Sequence, residues 1–161
     1  MQWFIFMEKR DEEFMKVALE EAELAYQDSE VPVGAVIVFN NEIIAKAHNE
    51  KETNQNPVAH AEILAIERAS KVLKSWRLSD CQIYITLEPC LMCSGAILES
   101  RINKIVYGAK DLQEGSLGSV YNIFLDNGIN FSPKIFGGVC ANESKELLKK
   151  FFEKKRKNKN T

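Results

Sequence analysis

The sequence predicts an α/β layered domain on a central mixed sheet of about five strands. Three observations carry this. Short β-branched apolar runs of strand length recur along the chain. After residue 58 they alternate with segments of helical period, and parallel strands need such crossovers. Before that, two apolar runs are separated only by Asn40-Asn41, which reads as an antiparallel hairpin. One hairpin followed by crossovers makes the sheet mixed.

Met15, Ala18, Leu19, Ala22 and Tyr26 keep helical spacing, so residues 8–28 are expected to form an amphipathic helix. Residues 33–39 and 42–48 are the two hairpin strands, the second ending at His48. Residues 49–58 are polar, with Asn56-Pro57 near their end, and read as a loop. Residues 59–73 are helical by period, 82–87 a strand and 90–100 a helix. Residues 104–108 form a short strand, and 111–119, rich in Gly and Ser, a loop. A short helix over 120–126, a strand over 134–139 and a helix from 143 to about 157 complete the chain.

At 161 residues the chain is read as one domain, 1–161, long enough to bury a substantial core. Residues 1–6 are apolar but too short for a signal segment and lack a basic flank; Met7 offers an alternative start. No run approaches a membrane span. Four cysteines, two at metal spacing, are no disulfide framework and fit a reducing, cytoplasmic setting. The net charge of −2 hides an asymmetry. Residues 145–161 carry eight Lys or Arg against two Glu, a segment charge of +6, so the remaining 144 residues carry −8. A basic terminal helix on an acidic body suits a phosphate-contacting arm or a solvated end.

The chemistry concentrates in two places. His60-Ala61-Glu62 is followed by Pro89-Cys90-Leu91-Met92-Cys93. One imidazole and two thiols are a ligand set for Zn²⁺, and three protein ligands leave the fourth position to water, as catalytic zinc sites do. Two thiolates and a neutral imidazole cancel the ion's charge, yet water in the fourth position is still acidified toward neutrality. Cys90 and Cys93 share one face at a helix start. Pro89 precedes them where its missing N–H costs nothing. His60 and Glu62 point to different sides of a regular helix. They converge on one ion only if it lies over the helix end, where unpaired N–H groups and the positive dipole favour anions. Other readings are a redox pair at Cys90 and Cys93, or a closed structural zinc with His48, Cys81 or Cys140 as fourth ligand. Cys81 and Cys140 also read as small buried apolar residues, and His48 as a strand end.

His-x-Glu followed by Pro-Cys-x-x-Cys is the known signature of zinc-dependent nucleobase deaminases. From about Asp11 to Arg156 the chain resembles the bacterial tRNA-specific adenosine deaminases of the cytidine deaminase-like superfamily. Beyond the zinc signature, the resemblance rests on residues 30–36 (Glu-Val-Pro-Val-Gly-Ala-Val), Thr86-Leu87-Glu88 ahead of Pro89, Ser100-Arg101-Ile102, Gly108-Ala109-Lys110-Asp111 leading to Gly118-Ser119, and the basic last helix. Lys110 departs from the Arg usual there. The resemblance implies a three-layer α/β/α fold and a homodimer that converts the wobble adenosine of a tRNA anticodon to inosine. It implies Zn²⁺ on His60, Cys90 and Cys93. Glu62 would take a proton from the water and pass it to adenine N1, and then help protonate the leaving ammonia, while the water oxygen attacks C6.

The resemblance also places Asn49 on the target nucleotide and Asp111 on the nucleotide before it, although each residue type also serves in caps and turns. Phe151 and Phe152 offer a stacking face for RNA, and one of them is expected in the core. Phe152 is the substrate-side candidate. Two further readings are a deaminase of free bases or nucleosides and a zinc-stabilised RNA-binding module without catalysis. The basic end and Asp111 oppose the first, Glu62 the second.

Overall fold

A computed structural model describes residues 2–125 and 131–160, with side chains from Lys9 onward. In chain order the elements are α1 (Gln2–Gln27), β1 (Gly34–Phe39), β2 (Glu42–His48), α2 (Ala61–Leu73), β3 (Cys81–Leu87), α3 (Leu91–Ser100), β4 (Lys104–Ala109), a 3₁₀ turn (Ile123–Leu125), β5 (Lys134–Phe136) and α4 (Ala141–Lys159). The sheet order is β2-β1-β3-β4-β5. β1 is antiparallel to both neighbours, and β3, β4 and β5 pair in parallel. The expected mixed five-stranded sheet is what forms.

The strands read as continuous apolar runs because both sheet faces are covered. Ala35, Ile37, Ile83, Ile85 and Ile105 pack on one face with Ala61, Ala65 and Ala69 of α2 and Ile97 of α3. The residues between them, Val36, Val38, Tyr84 and Val106, pack on the other with Met15 and Ala18 of α1. α4 lies beside α1 and against β4. The result is a three-layer α/β/α arrangement. Gly34 lets α1 sit directly on β1: a Cβ there would run into the Ala18 carbonyl and come within 2.7 Å of the Ala22 nitrogen.

Some element bounds differ from the periodicity. α1 begins at Gln2, not near residue 8, so the start expected as an extension continues the helix; side chains 2–8 lie outside the described residues. The segment expected as a helix over 120–126 forms only the 3₁₀ turn, and Asp126 lies outside the described residues. The last strand stops at Phe136, where Gly137-Gly138 follows and Gly138 takes φ 93°. α4 starts at Ala141 and runs to Lys159, slightly beyond both expected ends. Among the described residues, no helix is long and apolar enough to cross a membrane.

A buried polar clamp fastens α1 to the sheet. Asp11 Oδ1 accepts from the Tyr84 hydroxyl at 2.7 Å and from Lys104 Nζ at 2.8 Å. Burial, then the Asp11 bond, pushes the Tyr84 hydroxyl pKa far up, so it remains a donor. Removing the carboxylate leaves the Lys104 charge in a dry site. Asp11→Ala is expected to cost about 3–5 kcal/mol in urea unfolding, and adding Lys104→Met should recover part of that loss.

Candidate active site

Both metal half-sites sit at helix starts, as the spacing requires. His60 is the N-cap of α2 and Cys90 the N-cap of α3, each with extended backbone and neither turning its side chain back to cap its helix. The side chains instead face each other across the gap. His60 Nδ1 lies 3.5 Å from Cys93 Sγ and 3.8 Å from Cys90 Sγ, and the three ligand atoms all lie within 4.8 Å of one another. A tetrahedral ion with Zn–S of about 2.3 Å and Zn–N of about 2.0–2.1 Å sets such atoms about 3.6 Å apart. The donor set therefore fits zinc in both chemistry and spacing.

The protons of these groups are tightly shared. The Cys93 hydrogen bond, helped by His60, draws the Cys90 thiol down to about 4, against the opposing effect of burial. The same bond, with burial, pushes Cys93 up, and the Cys90 bond raises His60. Glu62, on the first turn of α2, is only 4% exposed, and burial raises its pKa. The neighbouring Cys93 works against that rise, and Glu62 is not a member of the ligand cluster.

None of the candidates for a fourth ligand joins the cluster. His48 Nδ1 is 2.7 Å from Glu21, Cys81 is in the core, and Cys140 is the half-buried N-cap of α4. Among the described residues the metal-capable group is His60, Cys90 and Cys93 alone.

These groups open into a cleft of about 560 Å³ whose walls gather nearly all the residues singled out from the sequence. His60, Glu62, Cys90, Asn49 and Asp111 line it, and Phe152 joins from α4, while Cys93 lies fully buried. Asn49 and Asp111 also hold their own loops. Asn49 accepts from Lys51 N–H at 3.1 Å and donates to the Val31 carbonyl at 3.3 Å. Asp111 Oδ1 accepts from the N–H groups of Gln113 and Glu114 at 3.0 and 3.1 Å. The turn-forming and cleft-lining readings of these two residues are thus compatible. Phe151 is buried edge-on against Tyr26, whereas Phe152 is 44% exposed at the cleft, dividing the pair as expected.

Other cleft residues carried no individual role in the sequence reading. Lys51 and Lys110 bring positive charge to its walls. Glu30 is not part of the lining but, 1% exposed, accepts from the N–H groups of Glu52 and Thr53 at 2.9 and 3.0 Å and so pins the loop after Asn49. Glu88, also buried, lines the cleft beside Cys90. The available signal was a Glu next to an apolar strand or turn, where a charge must find donors.

The class is set by a family model described as MafB19-like deaminase, which matches residues 9–156. The tRNA-specific adenosine deaminase of Bacillus subtilis (strain 168) is 45% identical over 150 residues, covering 93% of each chain. That of Aquifex aeolicus (strain VF5) is 47% identical, covering 91% of this chain and 97% of its own. A solved structure from work on A-to-I editing by tRNA:A34 deaminases at the wobble position of transfer RNA superposes with a TM-score of 0.82. It is 38% identical, with 84% of this chain and 98% of that one covered. The chain belongs to the family of tRNA-specific adenosine deaminases.

Elemental analysis of the purified protein is expected to find about one divalent metal ion per chain, filled out by one non-protein ligand. Cys93→Ser should lose most of it. Full occupancy in that variant would show that the ion sits elsewhere.

Proposed function

We propose that this protein is a zinc-dependent hydrolase that deaminates adenosine to inosine at the wobble position of a tRNA anticodon. The observation that carries this is one cleft in which a three-residue ligand set, a buried carboxylate outside that set, and Asn49 and Asp111 converge. The family relationship supports the same reading.

In this reading His60, Cys90 and Cys93 would hold Zn²⁺, whose contribution when bound would be to lower the pKa of a water molecule. Glu62 performs the proton transfers. Its carboxylate takes one proton from the attacking water and delivers it to adenine N1; it then takes the remaining proton from the new C6 hydroxyl and gives it to the amino group, so that ammonia leaves and the C6 carbonyl forms. Burial keeps bulk water from competing for that proton. Asn49 binds the target nucleotide, and Asp111 the nucleotide before it. Phe152 offers a ring face to an unstacked base.

The RNA partner is supported by charge. α4 ends in Lys154, Lys155, Arg156, Lys157 and Lys159, all exposed, on the helix that also brings Phe152 to the cleft. Lys154 Nζ stands 5.5 Å over the Tyr26 ring and Lys155 Nζ 6.0 Å over Phe151, so part of the basic surface is seated on aromatic rings. Such a surface suits the phosphate backbone of an anticodon stem. The same reading makes the protein a single-domain homodimer of the cytoplasm, where its tRNA substrate is found.

A deamination assay on an anticodon stem-loop with adenosine at the wobble position, run beside free adenosine, cytidine and guanine, tests the substrate class. Strong turnover of the stem-loop and little of the free compounds is expected. A base in a loop is already unpaired and costs little to extrude, while a free base lacks the neighbouring contacts. Equal turnover of free nucleoside or guanine would replace the tRNA reading with a small-molecule one.

Glu62→Ala should keep fold and metal while lowering turnover by roughly 10²–10⁴-fold. Near-normal turnover, or metal loss in this variant, would remove Glu62 from the proton path.

A further inference from the structure

Glu88 closes the gap between β3 and the metal-ligand segment: it follows Leu87 and stands two residues before Cys90. It is 2% exposed, and all four donors that reach its carboxyl oxygens come from the 111–119 loop. Oε2 accepts from the N–H groups of Leu117 at 2.9 Å and Ser119 at 3.2 Å. Oε1 accepts from the Ser119 hydroxyl and, at 3.4 Å, from the Asp111 N–H.

The loop is built to receive this side chain. A Cβ on Gly115 would come within 2.6 Å of the Glu88 carboxyl carbon, so the loop backbone closes directly over it. The Ser116 hydroxyl lies 2.9 Å from the Pro89 carbonyl and 2.7 Å from Ser94 Oγ, a second tie between loop and ligand segment. A buried carboxyl group is tolerated only when its oxygens are met by donors, and every donor here is backbone or hydroxyl of one loop. One side chain therefore links the position of Asp111 to that of Cys90.

We propose that Glu88 is a positioning residue for substrate selection: it holds the Asp111 backbone and the 117–119 turn against the Cys90 segment, and so sets discrimination at the nucleotide preceding the target adenosine. This rests on the deaminase reading above, in which Asp111 meets that nucleotide.

Glu88→Gln is the informative variant. The amide keeps the shape but turns one acceptor into a donor. With its oxygen at the Oε2 place, Gln still accepts from Leu117 and Ser119. Its NH₂ then meets the Ser119 hydroxyl, which can reverse and accept, and the Asp111 N–H, which cannot. The change thus releases the Asp111 end of the loop selectively.

The test combines amide hydrogen exchange across residues 109–119 of the full chain, metal content, and kcat and KM on two anticodon stem-loops that differ only in the nucleotide before the adenosine. Expected are unchanged metal content and about tenfold faster exchange at Asp111, with Leu117 and Ser119 remaining protected. KM should rise about tenfold, more than kcat falls, and the preference between the two stem-loops should shrink. Ser119→Ala, which removes one donor without touching Glu88, should shift discrimination in the same direction by less, and serves if Glu88→Gln does not fold.

Unchanged exchange would show that Glu88 does not hold the loop. Faster exchange with unaltered discrimination would leave it a structural residue only, and metal loss would make it a support of the ligand segment; each overturns the proposal. If the wild-type protein turns over neither stem-loop, the deaminase reading fails and the selectivity role with it, while exchange still decides whether Glu88 holds the loop.

Discussion

Everything at the site depends on bringing together atoms from two segments thirty residues apart to within 4.8 Å. No local interaction in the chain can do this. The sheet does it, because β2 and β3 are both antiparallel to β1 and β4 is parallel to β3. β2, β3 and β4 therefore run the same way, as β5 does, and end at one edge of the sheet. Their ends deliver, in turn, Asn49, the Glu88–Cys90 segment and the Asp111 loop. α2 and α3 pack on the same sheet face and begin at that edge, so His60 and Cys90 meet as facing N-caps. Ligand sites of α/β sheets lie outside the strands' carboxyl ends for this reason.

Two helix N-termini converging on one point set the electrostatics. Their unpaired N–H groups and positive dipole ends favour thiolates and a developing anion, even in a chain of net negative charge. The neighbouring buried carboxyl groups divide by the partners they find. Glu30 and Glu88 are met by loop donors and work as fasteners. Glu62 is buried near Cys93, His60 and Cys90, and burial raises its proton affinity. One residue type thus serves as a loop anchor where donors meet it, and holds its proton more tightly where burial dominates.

The strands and most helices could be read directly. Period and β-branched runs reflect how one element buries its own face, and both sheet faces here are apolar enough to leave that pattern. The ends were less visible. α1 carries its helix back to Gln2, where an apolar start gave no cap to mark a boundary. The segment after Ser119 condenses to a single 3₁₀ turn, held by bonds to Gly115 and Ser116 in the loop before it. Similarly, Asp11, Tyr84 and Lys104 are dispersed polar residues until the fold stacks α1 over β3 and β4.

By itself the sequence determined the candidate ligand types, the spacing of Cys90 and Cys93 on one helical turn, the adjacency of Glu62 to His60, and the mixed order of hairpin and crossovers. These are local properties, set by the rise and period of a helix or strand. Only the tertiary structure decided that His48, Cys81 and Cys140 stay away from the ligand set, that Phe152 rather than Phe151 reaches the cleft, and that Glu88 gathers the Asp111 loop. Each depends on which strand ends share an edge and which helix face is covered. Those are relations between residues far apart in the chain, and no short window of sequence contains them.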